Sequence, residues 1–111
     1  MNYDTWISQY VTEREGKVSG LCLEACEAMQ DAFPELRLVH GYVYDRDWGR
    51  CGHFWCVTPD DAIVDPTKTQ FPSFIDYETI HEFLTREQVR AYMEDFRKVT
   101  ASTYQVAWET V

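Results

Sequence analysis

Leu36-Arg37-Leu38-Val39-His40-Gly41-Tyr42-Val43-Tyr44 is rich in β-branched and aromatic residues, and Gly52-His53-Phe54-Trp55-Cys56-Val57-Thr58 repeats that composition a few residues later. Between them stand Asp45, Asp47 and Gly49. Short Asx side chains bond their own backbone and glycine accepts a positive φ, so this gap is turn chemistry and the two runs are strands joined by it. Pro59-Asp60-Asp61 makes the next turn, and Ala62 to Asp65 is a third short strand closed by Pro66, which has no N–H to continue a ladder.

Outward from this hairpin the periodicity changes. Tyr3, Trp6, Ile7, Tyr10 and Val11 fall at i, i+3, i+4, i+7 and i+8, one face of a helix, and Asn2 is placed to cap it. Thr12 to Ser19 is polar and loop-like. A second helix follows Ser19-Gly20, with Cys22, Cys26, Met29 and Phe33 on one stripe and Pro34 ending it. After the strands, Pro66 to Asp76 reads as a loop and Tyr77 to Leu84 fits neither period. Thr85 and Gln88 form a capping box, and Val89, Tyr92, Met93 and Phe96 mark an amphipathic helix to about Lys98. Tyr104, Val106 and Trp108 alternate, which predicts a last strand. The expected fold is α+β, helices packed on a small antiparallel sheet.

At 111 residues, with 45% hydrophobic and 15% aromatic side chains, the chain suits a single domain spanning 1–111 with one core, not a disordered segment. Its formal net charge is −9, which repels phosphate backbones and anionic membranes; the plainer reading of that charge is solubility, and the sharper one is a basic protein partner or an acidic decoy that imitates nucleic acid. The chain opens Met1-Asn2-Tyr3-Asp4-Thr5-Trp6, without the basic-then-apolar build of a signal peptide, and no apolar run approaches the roughly 18 residues that span a bilayer. The expected setting is the cytoplasm, with four reduced cysteines.

Three residues carry chemistry in combination. Cys22 falls in the first turn of the second helix, where free amide groups favour a thiolate. His53 lies on the second strand, able to take the thiol proton and return it to a leaving group. Asp65 ends the next strand, and in a hairpin its carboxylate can hold the imidazole in one tautomer. Taken singly, each has a plainer role: an apolar stripe residue, a core histidine, a turn aspartate. Their order is the informative feature.

Gly20-Leu21-Cys22 opening a helix, Gly52-His53-Phe54-Trp55 on a strand and Ile63-Val64-Asp65-Pro66-Thr67 after it, followed by Gln70-Phe71, resemble the transglutaminase-like branch of the papain-fold cysteine proteins over residues 19–71. The resemblance implies a papain/transglutaminase-like core with the nucleophile at a helix N-terminus. It implies Cys22 as nucleophile, His53 as general base and acid, and Asp65 as the orienting carboxylate. The reaction implied is a hydrolase's or acyltransferase's attack on an amide or ester carbonyl of a peptide, protein or small molecule, through a thioester and without a cofactor. The family's oxyanion-hole glutamine has no counterpart in residues 12–21; the Cys22 N–H is one donor, and Gln9 and Gln70 are the side chains considered for the second. Trp55, on the His53 face, and Trp48, in the turn before Cys51, are the aromatic candidates for substrate contact, with Gln70 beside them.

Two other functions are open to the same residues. One is a catalytically inactive relative acting as an acidic, inhibitory or protein-binding module. The other is a zinc module built from Cys22 and Cys26, at i and i+4, with Cys51 and His53 on one strand face, although that spacing is not a familiar ribbon or finger. Cys56 falls on the opposite strand face from His53. His40 and His81 have no partner evident in sequence.

Overall fold

The computed structural model describes residues 1–103. Its elements are α1 (Tyr3–Glu13), α2 (Cys22–Ala32), β1 (Arg37–Asp45), β2 (Gly49–Val57), β3 (Ile63–Val64), a 3₁₀ turn (Lys68–Gln70), β4 (Phe74–Phe83) and α3 (Arg86–Thr103). The fold is α+β, three helices with a four-stranded antiparallel sheet in the order β3-β2-β1-β4. None of the described helices is long and apolar enough to cross a membrane.

Local chemistry sets the boundaries. Asn2 accepts from the Thr5 N–H at 2.8 Å and caps α1. The Thr85–Gln88 box closes as expected: the Gln88 N–H donates to Thr85 Oγ1 at 3.2 Å and the Thr85 N–H donates to Gln88 Oε1 at 3.3 Å, with the Leu84 N–H donating to the same oxygen at 2.8 Å. The β1–β2 hairpin is in register from Arg37↔Val57 to Asp45↔Gly49, and Gly49 takes a φ of 79° at the turn. Thr58 and Asp61 make the turn into β3, which is shorter than the expected Ala62–Asp65 strand: only Cys56↔Val64 and Val57↔Ile63 pair.

The main difference from the sequence reading lies after Asp65. Residues 66–76 hold the 3₁₀ turn and the start of β4, and the segment of unassigned period, Tyr77 to Leu84, is mostly strand, paired with β1 and bulged opposite His40/Gly41. Edge strands exposed to solvent lose the alternation that buried ones show, and most of β4 is exposed. The alternation of Tyr104, Val106 and Trp108 lies outside the described residues.

One face of the sheet carries Leu38, Phe54, Cys56 and Phe83 against Cys22, Cys26 and Met29 of α2 and Val89 and Met93 of α3. Each Leu, Val, Phe or Met among them contributes about 1.5–3 kcal/mol when fully buried. The other face carries Val39, Val43, Trp55 and Val57, closed by Phe71 with Tyr77 packed alongside. A flat sheet would separate β3 from β4 by three strand spacings, roughly 14 Å. Yet the Tyr77 hydroxyl, from β4, reaches Asp65, just past β3, at 2.9 Å. The sheet therefore curls until its two outer strands meet across the Trp55 face. Gly41 permits this closeness: a Cβ there would lie 2.0 Å from the Glu78 carbonyl oxygen and 2.7 Å from the Trp55 ring.

Candidate functional site

His53 is in the middle of β2 with no exposed surface. Because β2–β3 pairing ends at Cys56↔Val64, β2 from Gly49 to Trp55 has no strand on that side, and the chain after β3 is free to fold onto His53. Asp65 does so: His53 Nε2 lies 2.8 Å from Asp65 Oδ2. The same oxygen accepts from the Tyr77 hydroxyl, while Oδ1 accepts from the Thr67 N–H at 3.1 Å. Pro66 between them has no N–H to compete, and the turn fixes the carboxylate.

Cys22 is the first residue of α2 and is 2% exposed. A side-chain hydrogen bond joins Cys22 to the His53 ring. Burial pulls the His53 pKa down, but hydrogen bonds to Asp65 and Cys22, together with their negative charge, outweigh it and push it up to about 10. Leu21, at the N-cap of α2, offers no side-chain acceptor, so the first backbone N–H groups of α2 are left without the side-chain cap that α1 and α3 possess.

The sequence thus names three residues that the fold brings together. Of the others, Phe71 meets the His53 ring edge-on at 4.9 Å, and Trp48, 48% exposed, meets Phe71 at 5.8 Å, so Trp48 stands on the solvent side of that stack. Trp55 is fully buried, 6.0 Å from the His53 ring and 4.8 Å from that of Tyr77. The Gln70 amide donates to Thr67 Oγ1 at 3.1 Å, tying it to the Asp65 turn, and Gln9 lies exposed on α1.

The remaining thiols sit elsewhere. Cys26 is fully buried, its pKa raised by burial and by Cys56, whose sulfur lies 3.8 Å from the Cys26 carbonyl oxygen. Cys51 is half-buried near Gly49, and its pKa is raised by burial and by the charge of Asp45. Among the described residues no three His, Cys, Asp or Glu side chains converge as a metal-ligand set, so Cys22, Cys26, Cys51 and His53 do not form the zinc site their spacing raised. His40 and His81, without partners in sequence, face each other across β1 and β4, and the Tyr92 hydroxyl of α3 lies 3.0 Å from His40 Nδ1. A cavity of about 330 Å³ between α2 and α3, lined by Leu23, Glu27, Val89, Arg90, Met93 and Glu94, includes none of the three.

Tyr77 is the site residue that sequence reasoning missed. Its strand gave no period, and nothing in a single tyrosine announces a partner three strands away.

No family model matches this chain, and neither a curated protein nor a solved structure matches it.

Proposed function

We propose that the chain is a small thiol hydrolase or acyltransferase of transglutaminase-like core, acting on an amide or ester carbonyl. The observation that carries this reading is the His53–Asp65 pair at 2.8 Å with the Cys22 sulfur bonded to the same ring. An imidazolium beside a sulfur holds it as the nucleophilic thiolate. The sulfur forms a C–S bond to the carbonyl carbon, and the carbonyl oxygen takes the electron pair as an oxyanion facing the uncapped N–H groups of α2. As that pair returns, the bond to the leaving amine or alcohol breaks and His53 Nδ1 gives the leaving group its proton. Water or an acceptor amine then attacks the thioester, His53 takes its proton, and the thiolate departs. Asp65 keeps the imidazole in the tautomer this needs. Trp48 and Phe71 make the apolar rim for the acyl group, and no cofactor takes part.

The test is acylation. Incubation with 4-nitrophenyl acetate should place an acetyl group on Cys22, read by peptide mass spectrometry, with nitrophenol release that Cys22→Ala and His53→Ala both abolish. Release that survives Cys22→Ala rules out the nucleophile.

The burial of Cys22 favours a second reading, a binding module that keeps the fold and meets a basic protein through its net charge of −9. Its sign is full biological effect in a Cys22→Ala/His53→Ala double variant.

A further inference from the structure

Two polar hydrogens meet at one oxygen of Asp65. Nε2 of His53 approaches Oδ2 at 2.8 Å, and the Tyr77 hydroxyl donates to it at 2.9 Å. Tyr77 is not there by chance of surface packing. Its ring is held by Trp55 at 4.8 Å and Phe74 at 4.7 Å, and it arrives from the outermost strand only because β1 carries Gly41 where any side chain would collide with β4. Burial and the Asp65 carboxylate both push the Tyr77 pKa upward, so the hydroxyl keeps its proton and remains a donor.

We propose that Tyr77 is a positioning residue for the His53 base: by donating to Oδ2 it draws charge from the oxygen that holds the Nε2 proton, and so sets how tightly Asp65 binds the imidazolium. The inference rests on the thiol–imidazole reading for its catalytic meaning, not for its physics. A carboxylate oxygen with two donors offers less to each than an oxygen with one. The titratable groups facing this centre are Asp65 and His53 themselves, Tyr77 from β4, and Cys22 and Cys26 from α2; His40 of β1 lies near enough to His53 to feel its charge. Of these only Tyr77 and His53 are shown donating from a side chain to Asp65.

Tyr77→Phe removes the hydroxyl and leaves the ring packing, so circular dichroism should show a native fold. The His53 titration midpoint, followed by NMR of protein labelled with ¹⁵N-histidine, should rise by about half a pH unit to one unit, the scale of one net hydrogen bond. The alkaline limb of ester turnover should move to higher pH by the same amount, with KM unchanged and kcat lower by about fivefold to tenfold. In an Asp65→Asn background, Tyr77→Phe should shift nothing further. An unchanged or lowered midpoint overturns the proposal. A raised midpoint in a protein that never acylates Cys22 upholds Tyr77's role and sinks the enzymatic reading, so the two failures are distinguishable.

Discussion

Asp45 and Asp65 each close a strand beside a turn, each is buried, and each accepts three hydrogen bonds. Asp45 spends all three on backbone: Oδ1 accepts from the Asp47 and Trp48 N–H groups at 2.8 and 3.0 Å, and Oδ2 accepts from the Ser73 N–H at 2.9 Å. Asp65 takes one backbone N–H and gives its other oxygen to His53 and Tyr77. Backbone donors cannot titrate, so Asp45 can only hold a turn. Side-chain donors can, so under the proposed function the bonds of Asp65 are the ones that serve proton transfer. The same residue at the same kind of corner becomes structural or chemical according to what faces it.

The sharpest way to break the contrast is to remove charge at each corner. Asp65→Asn should still fold, with a lower Tm because the buried His53–Asp65 pair is lost, and the folded protein should turn over more slowly by on the order of 10⁴, as in the serine hydrolase case where the wrong imidazole tautomer results. Asp45→Ala should differ in rate: it leaves three backbone N–H groups unanswered and lowers Tm by several degrees, while the folded fraction turns over normally. Urea titration alongside steady-state kinetics separates the two. If the folded fraction of Asp65→Asn turns over normally, both aspartates are structural and the contrast is gone.

Gly41→Ala acts on one corner more than the other. The added methyl meets the Glu78 carbonyl and the Trp55 ring, so β4 must shift and carry Tyr77 off Asp65. The cost should be about 1–3 kcal/mol of stability, typical of overpacking, with the Asp45 turn spared. Amide exchange should therefore quicken along β4 and leave the Asp47 and Trp48 N–H groups protected.

pH separates the corners by sign. Burial would raise the Asp45 pKa, but the backbone N–H groups of Trp48, Ser73 and Asp47 together lower it. A depressed carboxyl stabilises above its unfolded value of about 3.9, and that contribution is lost as pH falls through the folded value. His53, raised to about 10, stabilises fully below its unfolded value of about 6.5 and loses that contribution as pH rises toward 10. Tm against pH should thus fall on both sides. Asp45→Ala should flatten the acid side and Asp65→Asn the alkaline side; identical profiles in both variants would contradict the assignment.

How much of this was legible follows from where each signal lives. The β1–β2 hairpin, the turn into β3 and the meeting of His53 with Asp65 follow from alternation and turn residues between Leu36 and Pro66, because both strands are largely buried and their side chains must sort by face. Cys22 at a helix start follows from the stripe and from Ser19-Gly20. Tyr77 did not follow: β4 is an exposed, bulged edge whose sequence reads Phe74-Ile75-Asp76-Tyr77-Glu78-Thr79-Ile80-His81, with no single period. The depth of Trp55 was also hidden, since its place depends on Gly41 being small on the neighbouring strand. Curvature, which brings β4 to Asp65, is a property of the whole sheet and of no short stretch.

The smallest effect concerns two thiols, one at each corner. Cys51 is the more accessible, but burial and the Asp45 charge both oppose its ionisation, so iodoacetamide should label it slowly near neutrality and faster as pH climbs past the usual thiol value of about 8.5. Cys22 is 2% exposed, and reagent must wait for the fold to open around it. Once reached, it stands beside an imidazole that stays protonated to about pH 10, so its rate should vary little from about pH 6 to about pH 8. Peptide mass spectrometry should show the two rates differing only a few-fold near neutrality, because accessibility favours one thiol and charge the other. Their pH slopes are what should differ, one steep and one flat. His53→Ala should make the Cys22 slope as steep as that of Cys51, while Asp45→Ala should quicken Cys51 and leave Cys22 alone. Parallel slopes in the wild-type protein would mean that no imidazolium acts on Cys22, and the contrast between the corners would reduce to two ways of holding a turn.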